Sequence, residues 1–427
     1  MLIGSTYQSP RLRYAAEVVF RNYQGTIEFT SDPEYFSNRP GPKLNYGLIP
    51  DSSGMTIVPT DALWNEVIEK QHISITSWNG IDVIVWDKKP FDIFASTFFM
   101  VSRYEEYLPC LRDQHGRFSA SDSVFASDKK YRSPLVDLWR IEFEKQLSRC
   151  FPSIEWDRTS FSLQPTIDVD SAFAYRYKGL YRTVGAMVKD IFSLRIANLS
   201  ERIRCLIGAN PDPYDTYDFI IESANRHGIQ PRWFFLLSDY SKQNINISHR
   251  SVRLRELIVQ LDEHGKVGIH PGYQVTESLA MYKLEIARLN EIVKRKVTDS
   301  RQHYLKMALP QTYRNLLDAG IVNDFTMGFA DDCGYRAGTS LPFRWFDIEK
   351  NETTELMVHP FASMDTTLNK YLCHTPEEAI EILQQMISIS KDTQLPFCFL
   401  WHNETLSEKG IWKNWRQVWN AIFDSAV

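Results

Sequence analysis

The sequence lacks several features that would place it in a specialised class of proteins. Its six cysteines are scattered and include no Cys-x-x-Cys pair, which argues against a thiolate zinc site and against a disulfide scaffold. No apolar run reaches the roughly 18 residues that a transmembrane helix needs. Lys and Arg number 48 against 53 Asp and Glu, with no block of like charge, so composition gives no reason to expect a nucleic-acid partner.

The first twenty residues also lack the apolar core of a secretory signal peptide, because Arg11 and Arg13 interrupt them early. Together with the unpaired cysteines, this predicts a reduced, cytoplasmic protein. Hydrophobic residues make up 43% of the 427 residues and charged residues 24%, which is typical of a globular protein long enough for two domains.

The pattern of apolar runs changes at about residue 155. Before it, short strand-like runs and two amphipathic helical stretches, separated by a polar loop, predict a smaller α+β domain over residues 1–155. From residue 160 to residue 427, apolar runs alternate with helical stretches, which predicts an α/β region with a parallel sheet. The roughly seven strand–helix units favour a closed (β/α) barrel over a doubly wound sheet.

One segment, residues 176–206, is rich in basic residues with apolar residues between them. It contains only two acids, Asp190 and Glu201, against Arg176, Lys178, Arg182, Lys189, Arg195, Arg202 and Arg204. One interpretation is a helical insertion with a solvated basic face. The other is peripheral contact with a phosphate-bearing lipid or nucleotide carrier of the substrate.

The stretch "QPTIDVDSAFAY" places two carboxylates one residue apart at the end of a predicted buried strand. Because strand side chains alternate between faces, Asp168 and Asp170 should share one face with Thr166. Neighbouring carboxylates disfavour each other's ionisation unless a cation or a shared proton compensates. The pair therefore predicts a bound cation.

Other polar residues occupy comparable positions at or just after strand ends, where the working residues of parallel barrels lie. The full set is Asp168, Asp170, His270, Arg301, His303 and His402. Carboxylates and imidazoles that converge in this way suit zinc or another divalent cation with an open position for water.

These motifs resemble those of the polysaccharide deacetylases with a NodB homology domain, the family-4 carbohydrate esterases. "TIDVD" resembles the opening acid motif, which implies that Asp168 is the general base and Asp170 a metal ligand. "IHPGYQ" lies where the metal-binding His motif belongs, with His270 as the ligand. "SRQHY" resembles the Arg-containing motif, in which Arg301 precedes Tyr304, whose backbone N–H helps to hold the oxyanion.

"FLWHNE" resembles the final motif of the family, in which His402 would be the general acid. The resemblance covers residues 160–427 and implies a distorted barrel of about seven strands. It also implies a metal-dependent hydrolase that removes N- or O-acetyl groups from a carbohydrate or polysaccharide precursor. The substrate would be an acetylated glycan or a carrier-linked sugar, and the first 155 residues resemble an accessory domain.

The family pattern is not complete in this chain. The family has a second metal-binding His at the position of Gln274, and an amide is a poor zinc ligand compared with imidazole. Either His303 replaces it, or water fills the gap and the site is weak. His303 itself stands where the family tends to have a proline before the tyrosine.

Three further residues are candidates for the substrate-binding surface. Tyr273 belongs to the His motif, and Trp401 either lines the sugar or acetyl pocket or packs in the core. Arg336, in the Gly-flanked stretch "CGYRAGTS", is an alternative to Arg301 as the arginine that orients the base.

Two functions of other kinds stay open from the sequence. A catalytically inactive member of the same fold could bind glycan without hydrolysing it. An Asp-x-Asp glycosyltransferase would use the acid pair to hold a divalent ion against a diphosphate. That alternative gives His270, Arg301 and His402 no role, and no Gly-rich phosphate loop precedes the pair. A bound divalent ion without nucleotide would favour the hydrolase.

Overall fold

A computed structural model describes residues 1–50, 54–275 and 278–426. The chain begins with a four-stranded parallel sheet in the order β2-β1-β3-β4. Its elements are β1 (Leu2–Ser5), α1 (Pro10–Val19), β2 (Glu28–Thr30), α2 (Pro33–Asn38), β3 (Lys43–Tyr46) and β4 (Thr56–Ile57). Both helices begin with proline after a side-chain N-cap, Ser9 for α1 and Asp32 for α2.

An antiparallel hairpin and two longer helices complete the first part of the chain. They are β5 (Ile73–Trp78), β6 (Ile81–Trp86), α3 (Ile93–Val101) and α4 (Leu135–Cys150). The predicted α+β arrangement is wrong for the first sheet, because α1 and α2 alternate with parallel strands instead of standing apart from them. The polar loop predicted between α3 and α4 is present, with only short 3-10 turns.

The second part of the chain is built on a nine-stranded sheet. Its strands are β7 (Ser162–Val169), β8 (Arg232–Leu236), β9 (Val267–His270), β10 (Asp299–Ser300), β11 (Asn323–Asp324), β12 (Phe343–Asp347), β13 (Glu352–Val358), β14 (Ser363–Met364) and β15 (Pro396–His402). The order is β12-β13-β11-β10-β9-β8-β7-β15-β14, and every pairing is parallel except that of β12 with β13. The α/β class predicted from the alternating pattern is confirmed.

The closed barrel favoured by the number of strand–helix units is not what the structure shows. Among the described residues, the two outer strands β12 and β14 do not pair with each other, so the sheet is open. The β12 edge is covered instead by the first part of the chain: α3 packs against β12, and Tyr14 of α1 donates a hydrogen bond to the Arg344 carbonyl at 2.6 Å. Because this covering protects the backbone groups of the edge strand β12, the sheet does not have to close into a barrel there.

Helices connect most of the parallel strands. They are α5 (Leu180–Phe192), α6 (Ile196–Leu206), α7 (Tyr217–Asn225), α8 (Val252–Glu263), α9 (Leu279–Val293), α10 (Gln311–Asp318), α11 (Pro376–Asp392) and α12 (Trp415–Asp424). The basic segment forms α5 and α6, which stand between β7 and α7. None of the described helices is both long enough and apolar enough to span a membrane.

The two parts of the chain share one continuous apolar core. Phe98 of α3 packs its ring 5.2 Å from that of Phe346 in β12, and Tyr14 lies 5.0 Å from the same ring. The proposed boundary between a domain over residues 1–155 and another from residue 160 stays a prediction, but the packing holds both parts together.

Candidate metal and catalytic site

The strand-end residues meet at one edge of the large sheet, because parallel strands bring their carboxyl ends to the same side. Asp168 lies at the end of β7 and is the register partner of His402 at the end of β15. His270 ends β9, and His303 begins a short turn just after β10. Asp170 follows β7 directly.

The expected alternation of side chains along β7 is present. Thr166 and Asp168 are buried on the face that leads to the site, and the Thr166 hydroxyl donates to the Phe399 carbonyl at 2.8 Å. Ile167 and Val169 are fully buried in the apolar core. The period of two therefore directs both carboxylates to one face.

Asp170, His270 and His303 form a compact cluster of possible metal ligands. Asp170 Oδ1 lies 3.2 Å from His270 Nε2 and 3.4 Å from His303 Nδ1. The two imidazole nitrogens are 3.0 Å apart. Both histidines are almost wholly buried, and Asp170 is partly exposed.

The hydrogen bonds on the outer side of the His270 and His303 rings determine whether the nitrogens that face the cluster carry a proton or a lone pair. His270 Nδ1 lies 2.7 Å from the Arg301 carbonyl, and His303 Nε2 lies 3.0 Å from the Gln243 carbonyl. A carbonyl only accepts, so each of these nitrogens carries the proton and the other nitrogen of each neutral ring carries a lone pair. Two lone pairs and a carboxylate oxygen thus converge, which requires a cation or a proton between them.

The cluster fits a divalent metal. Within the described chain, the buried Asp170 Oδ1 has no hydrogen-bond donor. Bonds of about 2.0–2.2 Å in a tetrahedral zinc site place neighbouring ligand atoms about 3.3–3.6 Å apart. The separations of 3.0, 3.2 and 3.4 Å found here lie at or slightly below that range. The carbonyl partners of His270 and His303 are typical supports of metal-binding histidines.

Electrostatics keep Asp170 in its anionic form. Burial by itself would raise the pKa of its carboxyl. When a proton instead of a metal ion lies in the cluster, His303 and His270 carry it toward Asp170 and hold that pKa well below its usual range. Asp170 is therefore ionised at neutral pH and offers a charged oxygen to the cluster.

Asp168 is held differently from Asp170. Arg301 Nη1 donates to Asp168 Oδ1 at 3.1 Å, and Arg301 Nε donates to the Phe325 carbonyl at 2.8 Å. The guanidinium is wholly buried, 4.8 Å from the ring of Phe234. Asp168 Oδ2 lies 3.7 Å from His270 Nε2, so one carboxylate oxygen is bound by arginine and the other faces the cluster.

His402 is oriented by a buried carboxylate, Asp365. Asp365 Oδ1 lies 2.8 Å from His402 Nδ1, and Oδ2 accepts from the His402 backbone N–H at 2.7 Å and the Thr405 hydroxyl at 2.6 Å. Burial would lower the pKa of His402, but Asp365 raises it to about 10. The ring therefore carries a proton at neutral pH, and its Nε2 lies 3.9 Å from Asp170 Oδ2.

A loop from the first part of the chain reaches the site. Arg117 is nearly buried and donates to the Tyr304 carbonyl at 3.0 Å and to the Tyr371 hydroxyl at 2.7 Å. His115 Nδ1 lies 3.0 Å from the Tyr273 hydroxyl. Tyr304 adopts a left-handed conformation, with φ of 60°, which a residue with a side chain keeps only when its surroundings hold it.

The candidate ligands and the side chains of Asp168 and His402 line a cavity of about 280 Å³, close to the lower limit of small-molecule sites. Its charged lining combines three histidines with three acids and three cations: His270, His303, His402, Asp168, Asp170, Glu404, Arg117, Lys242 and Lys370. Burial and the neighbouring Asp170 raise the pKa of Glu404. The cavity therefore suits a polar ligand that can meet both signs of charge.

The structure separates two of the predicted residues, Trp401 and Arg336, from the cavity. Trp401 points to the opposite face of β15 and is wholly buried against Trp415 and Trp419, so the alternative of core packing applies. Arg336 is bound through Nε and Nη2 to both oxygens of Glu106, away from Asp168. Arg301 is the arginine that contacts the proposed base.

Two other predicted positions lie beside the site. Tyr273 does not line the cavity itself; its ring packs 5.3 Å from that of Tyr304, which does. Gln274 is exposed, and its side-chain oxygen accepts from Asn244 at 3.0 Å, outside the ligand cluster. His303, the alternative ligand considered from the sequence, occupies the third position of the cluster.

Asp365, Arg117 and Glu404 belong to the site but were not predicted from the sequence. Asp365 directly follows β14 at the end of the stretch "ELMVHPFASMD", so the rule that found Asp170 applies to it too. Glu404 closes "FLWHNE". Arg117 gave no local signal, because its importance depends on contacts with a distant part of the chain.

The chain was compared with known families, proteins and structures. A family model described as "Family of unknown function (DUF7033)" matches residues 1–152. No curated protein matches the chain significantly. A protein from Mycobacterium smegmatis assigned as a polysaccharide deacetylase has a similar structure, with a TM-score of 0.40, 13% identity and coverage of 64% of this chain and 86% of that chain.

Two other solved structures show more distant similarity. IcaB from Ammonifex degensii gives a TM-score of 0.23 at 15% identity, over 40% of this chain and 85% of its own. Agd3, described as a novel carbohydrate deacetylase, gives a TM-score of 0.37 at 7% identity, over 83% of this chain and 56% of its own. At such TM-scores these similarities do not establish the function, which has to be argued from the site.

Proposed function

We propose that the protein is a metal-dependent hydrolase that removes N- or O-linked acetyl groups from a carbohydrate or a carrier-linked sugar precursor. The observation that carries the proposal is the convergence of three acceptor atoms, from Asp170, His270 and His303, in one buried cluster. Beside it stand a carboxylate held by arginine and a histidine held by a carboxylate. The carboxylate can accept a proton from the attacking water, and the histidine can donate a proton to the leaving group of the bond that breaks.

Asp170, His270 and His303 would hold the divalent ion, and zinc is the first candidate because two imidazoles and one carboxylate are common ligands of catalytic zinc. Bound there, the ion would supply Lewis acidity toward the attacking water and the acetyl carbonyl. The chain's own contribution is to keep Asp170 anionic and to fix both rings through the Arg301 and Gln243 carbonyls.

The proton transfers are assigned to Asp168 and His402. Asp168 would take a proton from the water as the water oxygen attacks the acetyl carbon, and the hydrogen bond from Arg301 orients this carboxylate. His402, protonated and held by Asp365, would give a proton to the leaving amine or alcohol as the C–N or C–O bond breaks. The products are acetate and the free amino or hydroxyl group.

Tyr304 is assigned to the oxyanion that develops on the acetyl oxygen, through its backbone N–H, as the resemblance to the deacetylases implies. Arg117 supports this assignment, since it holds the Tyr304 carbonyl and so restrains the orientation of the peptide units on either side. The family's other requirement, a second imidazole ligand, is assigned to His303 in place of Gln274.

The Asp-x-Asp glycosyltransferase alternative is less well supported by this geometry. Such an enzyme needs both carboxylates for the metal and the diphosphate, whereas Asp168 is bound by Arg301 and only Asp170 belongs to the ligand cluster. A glycan-binding protein without activity stays an alternative for the test below. The cytoplasmic location also stays a prediction.

The test is release of acetate from N-acetylglucosamine oligomers and from an O-acetylated oligosaccharide, by protein stripped with chelator and then reloaded with Zn²⁺. We expect activity that is lost on stripping and restored on reloading. His303→Ala should be inactive and should bind metal poorly, whereas the matched control Gln274→Ala should keep both properties. Glycan binding without acetate release would favour the binding protein, and acetate release by the stripped protein would contradict metal dependence.

A further inference from the structure

The helices α5 and α6 form a hairpin with an unusually apolar exposed surface. Tyr181 is 94% exposed and Phe192 85% exposed. The exposed apolar side chains of α5 are Leu180, Tyr181, Val184, Val188, Ile191 and Phe192. At 3.6 residues per turn, these six positions fall within about a third of the helix circumference. They therefore form one continuous stripe instead of scattered single residues.

The second helix of the hairpin extends this surface. Ile196 and Ile203 are exposed on one face of α6, and the exposed Ile207 caps the end of the helix. Leu194, between the helices, is 83% exposed. Contiguous exposed apolar patches are uncommon on proteins that have no partner there. The hairpin thus presents a surface that something else should cover.

The charged side chains of the hairpin that have no ion-pair partner within the described residues are all positive. Its two acids are neutralised, because Asp190 is bound by Arg202 at 2.9 Å and Glu201 by Lys409 at 2.7 Å. Lys189, Arg195 and Arg204 are exposed and have no acidic partner within the described ranges. The apolar surface is therefore accompanied by uncompensated positive charge.

The apolar stripe and the unpaired positive charge together distinguish between two possible partners of the hairpin, a second copy of the chain and a lipid surface. In a symmetric dimer, the same patch on two copies would face itself and bring like charges together. An anionic lipid surface accepts both the apolar stripe and the flanking cations. We propose that the α5–α6 hairpin docks the protein on an anionic membrane, lying in the interface without crossing the bilayer.

The hairpin is joined to the edge of the candidate site. Arg182 of α5 donates to the carbonyls of Ile245 and Asn246 at 2.8 and 2.9 Å, and Ile245 lines the cavity. Docking would therefore hold the cavity close to the membrane surface, where the sugar of a lipid-linked carrier would be found. The docking itself does not depend on the proposed hydrolysis.

The test is sedimentation of the full chain with vesicles of phosphatidylcholine alone and with about one-third phosphatidylglycerol. We expect binding to the anionic vesicles that weakens as salt is raised. The double substitution Tyr181→Glu with Phe192→Glu should lower the partition coefficient at least tenfold, and Lys189→Glu with Arg204→Glu should abolish the preference for anionic lipid. The matched control is Leu111→Glu, at an 83% exposed leucine outside the hairpin, which should bind like the wild type.

Three results would overturn the proposal. One is the absence of binding to anionic vesicles. Another is equal binding by the wild type and both hairpin variants. The third is a wild-type dimer, seen by sedimentation velocity, that the Tyr181→Glu and Phe192→Glu pair converts to a monomer, because the covering partner would then be a second copy. All of the substituted side chains are exposed to solvent. Thermal unfolding of each variant checks that the fold is kept.

Discussion

Two carboxylates one residue apart at the end of β7 have different partners, and we propose different roles for them. Asp170 faces two imidazole nitrogens that carry lone pairs when the rings are neutral, and Asp168 is bound by a buried guanidinium. A cation in the cluster would offset the repulsion between these two neighbouring carboxylates. One carboxylate is thus available as a ligand while the other is free to accept a proton.

Separate substitutions of the two acids should separate these roles. Asp168→Asn removes the base but keeps the ligand cluster, so metal content should be unchanged while kcat falls by about 10²–10⁴-fold. Asp170→Ala removes a ligand, so both metal and activity should be lost. Elemental analysis and acetate release measure the two quantities on the same samples. Equal loss of metal in the two variants would contradict the assignment.

The pairing of Asp365 with His402 predicts a change in the pH profile. In the proposed mechanism His402 acts in its protonated form, and Asp365 raises the pKa of its imidazole to about 10. Asp365→Asn removes the charge that stabilises the imidazolium, so its pKa falls and activity should decline at a lower pH as the solution becomes more basic. The profile of kcat/KM from pH 6 to about 10 measures this shift. An unchanged basic limb would show that His402 is not the acid.

Local rules found most of the site because acids and histidines at strand ends are visible in the sequence. Asp168, Asp170, His270 and His402 follow recognisable buried strands, and alternation fixes which way they point. Asp365 was missed because β14 has only two residues and gives little pattern. The prediction that Arg336 belongs to the site was wrong because its partner, Glu106, lies far away in the sequence. The Gly-flanked turn that contains Arg336 gives no indication of this pairing.

The loop that carries His115 and Arg117 belongs to the first part of the chain. It contacts residues of the second part of the chain at the edge of the candidate site. Arg117 bonds with Tyr304, after β10, and with Tyr371, after β14, so it joins two loops around the cavity. Its own orientation is fixed by Asp113, whose Oδ2 accepts from Arg117 Nε at 2.7 Å. The loop therefore acts as a brace across the mouth of the cavity.

Arg117→Ala should misplace the Tyr304 peptide without disturbing the metal ligands. We expect kcat to fall about tenfold to a hundredfold, which is the size expected when a reacting group moves by about 1 Å. KM and metal content should change little, and amide hydrogen exchange around Tyr304 should become faster. Arg117→Lys should recover only part of the rate, because lysine cannot bind both partners in the same fork. A raised KM with unchanged kcat would indicate substrate binding instead of positioning.

The strands and helices of the second part could be predicted because their apolar periods are clear, but closure of the sheet could not. Closure depends on whether the outermost strands pair, and no local pattern records that pairing. Three of the nine strands, β10, β11 and β14, have only two residues. Tertiary packing against the first part of the chain decides what happens at the β12 edge.

At the scale of the whole molecule, a buried ionic network joins the two parts of the chain. Glu106 binds Arg336 through two hydrogen bonds of 2.8 and 2.5 Å and also accepts from Arg103 at 2.8 Å. All three side chains are buried. Burial would raise the pKa of Glu106, but Arg336 and Arg103 lower it to about 2.

Glu106→Gln should therefore destabilise the protein at neutral pH by about 3–5 kcal/mol, since it leaves buried guanidinium charge without its partner. Because the pKa of Glu106 is lower in the folded state than in the unfolded state, the ionised carboxylate stabilises the fold. This stabilisation is fully present at pH values above the pKa of the unfolded state and is lost as the pH falls toward 2. The difference between wild type and variant should thus shrink below about pH 4.5. Urea unfolding at several pH values measures it, and a constant difference would contradict the role of the ionised carboxylate.

The central claim is that Asp170, His270 and His303 bind one divalent metal ion. Crystals grown with Zn²⁺ and measured on both sides of the zinc absorption edge test it directly. The account predicts one anomalous peak per chain at about 2.0–2.2 Å from Asp170 Oδ1, His270 Nε2 and His303 Nδ1. A zinc-loaded crystal with no peak between these three atoms, or with the ion bound through Gln274 instead of His303, would contradict it.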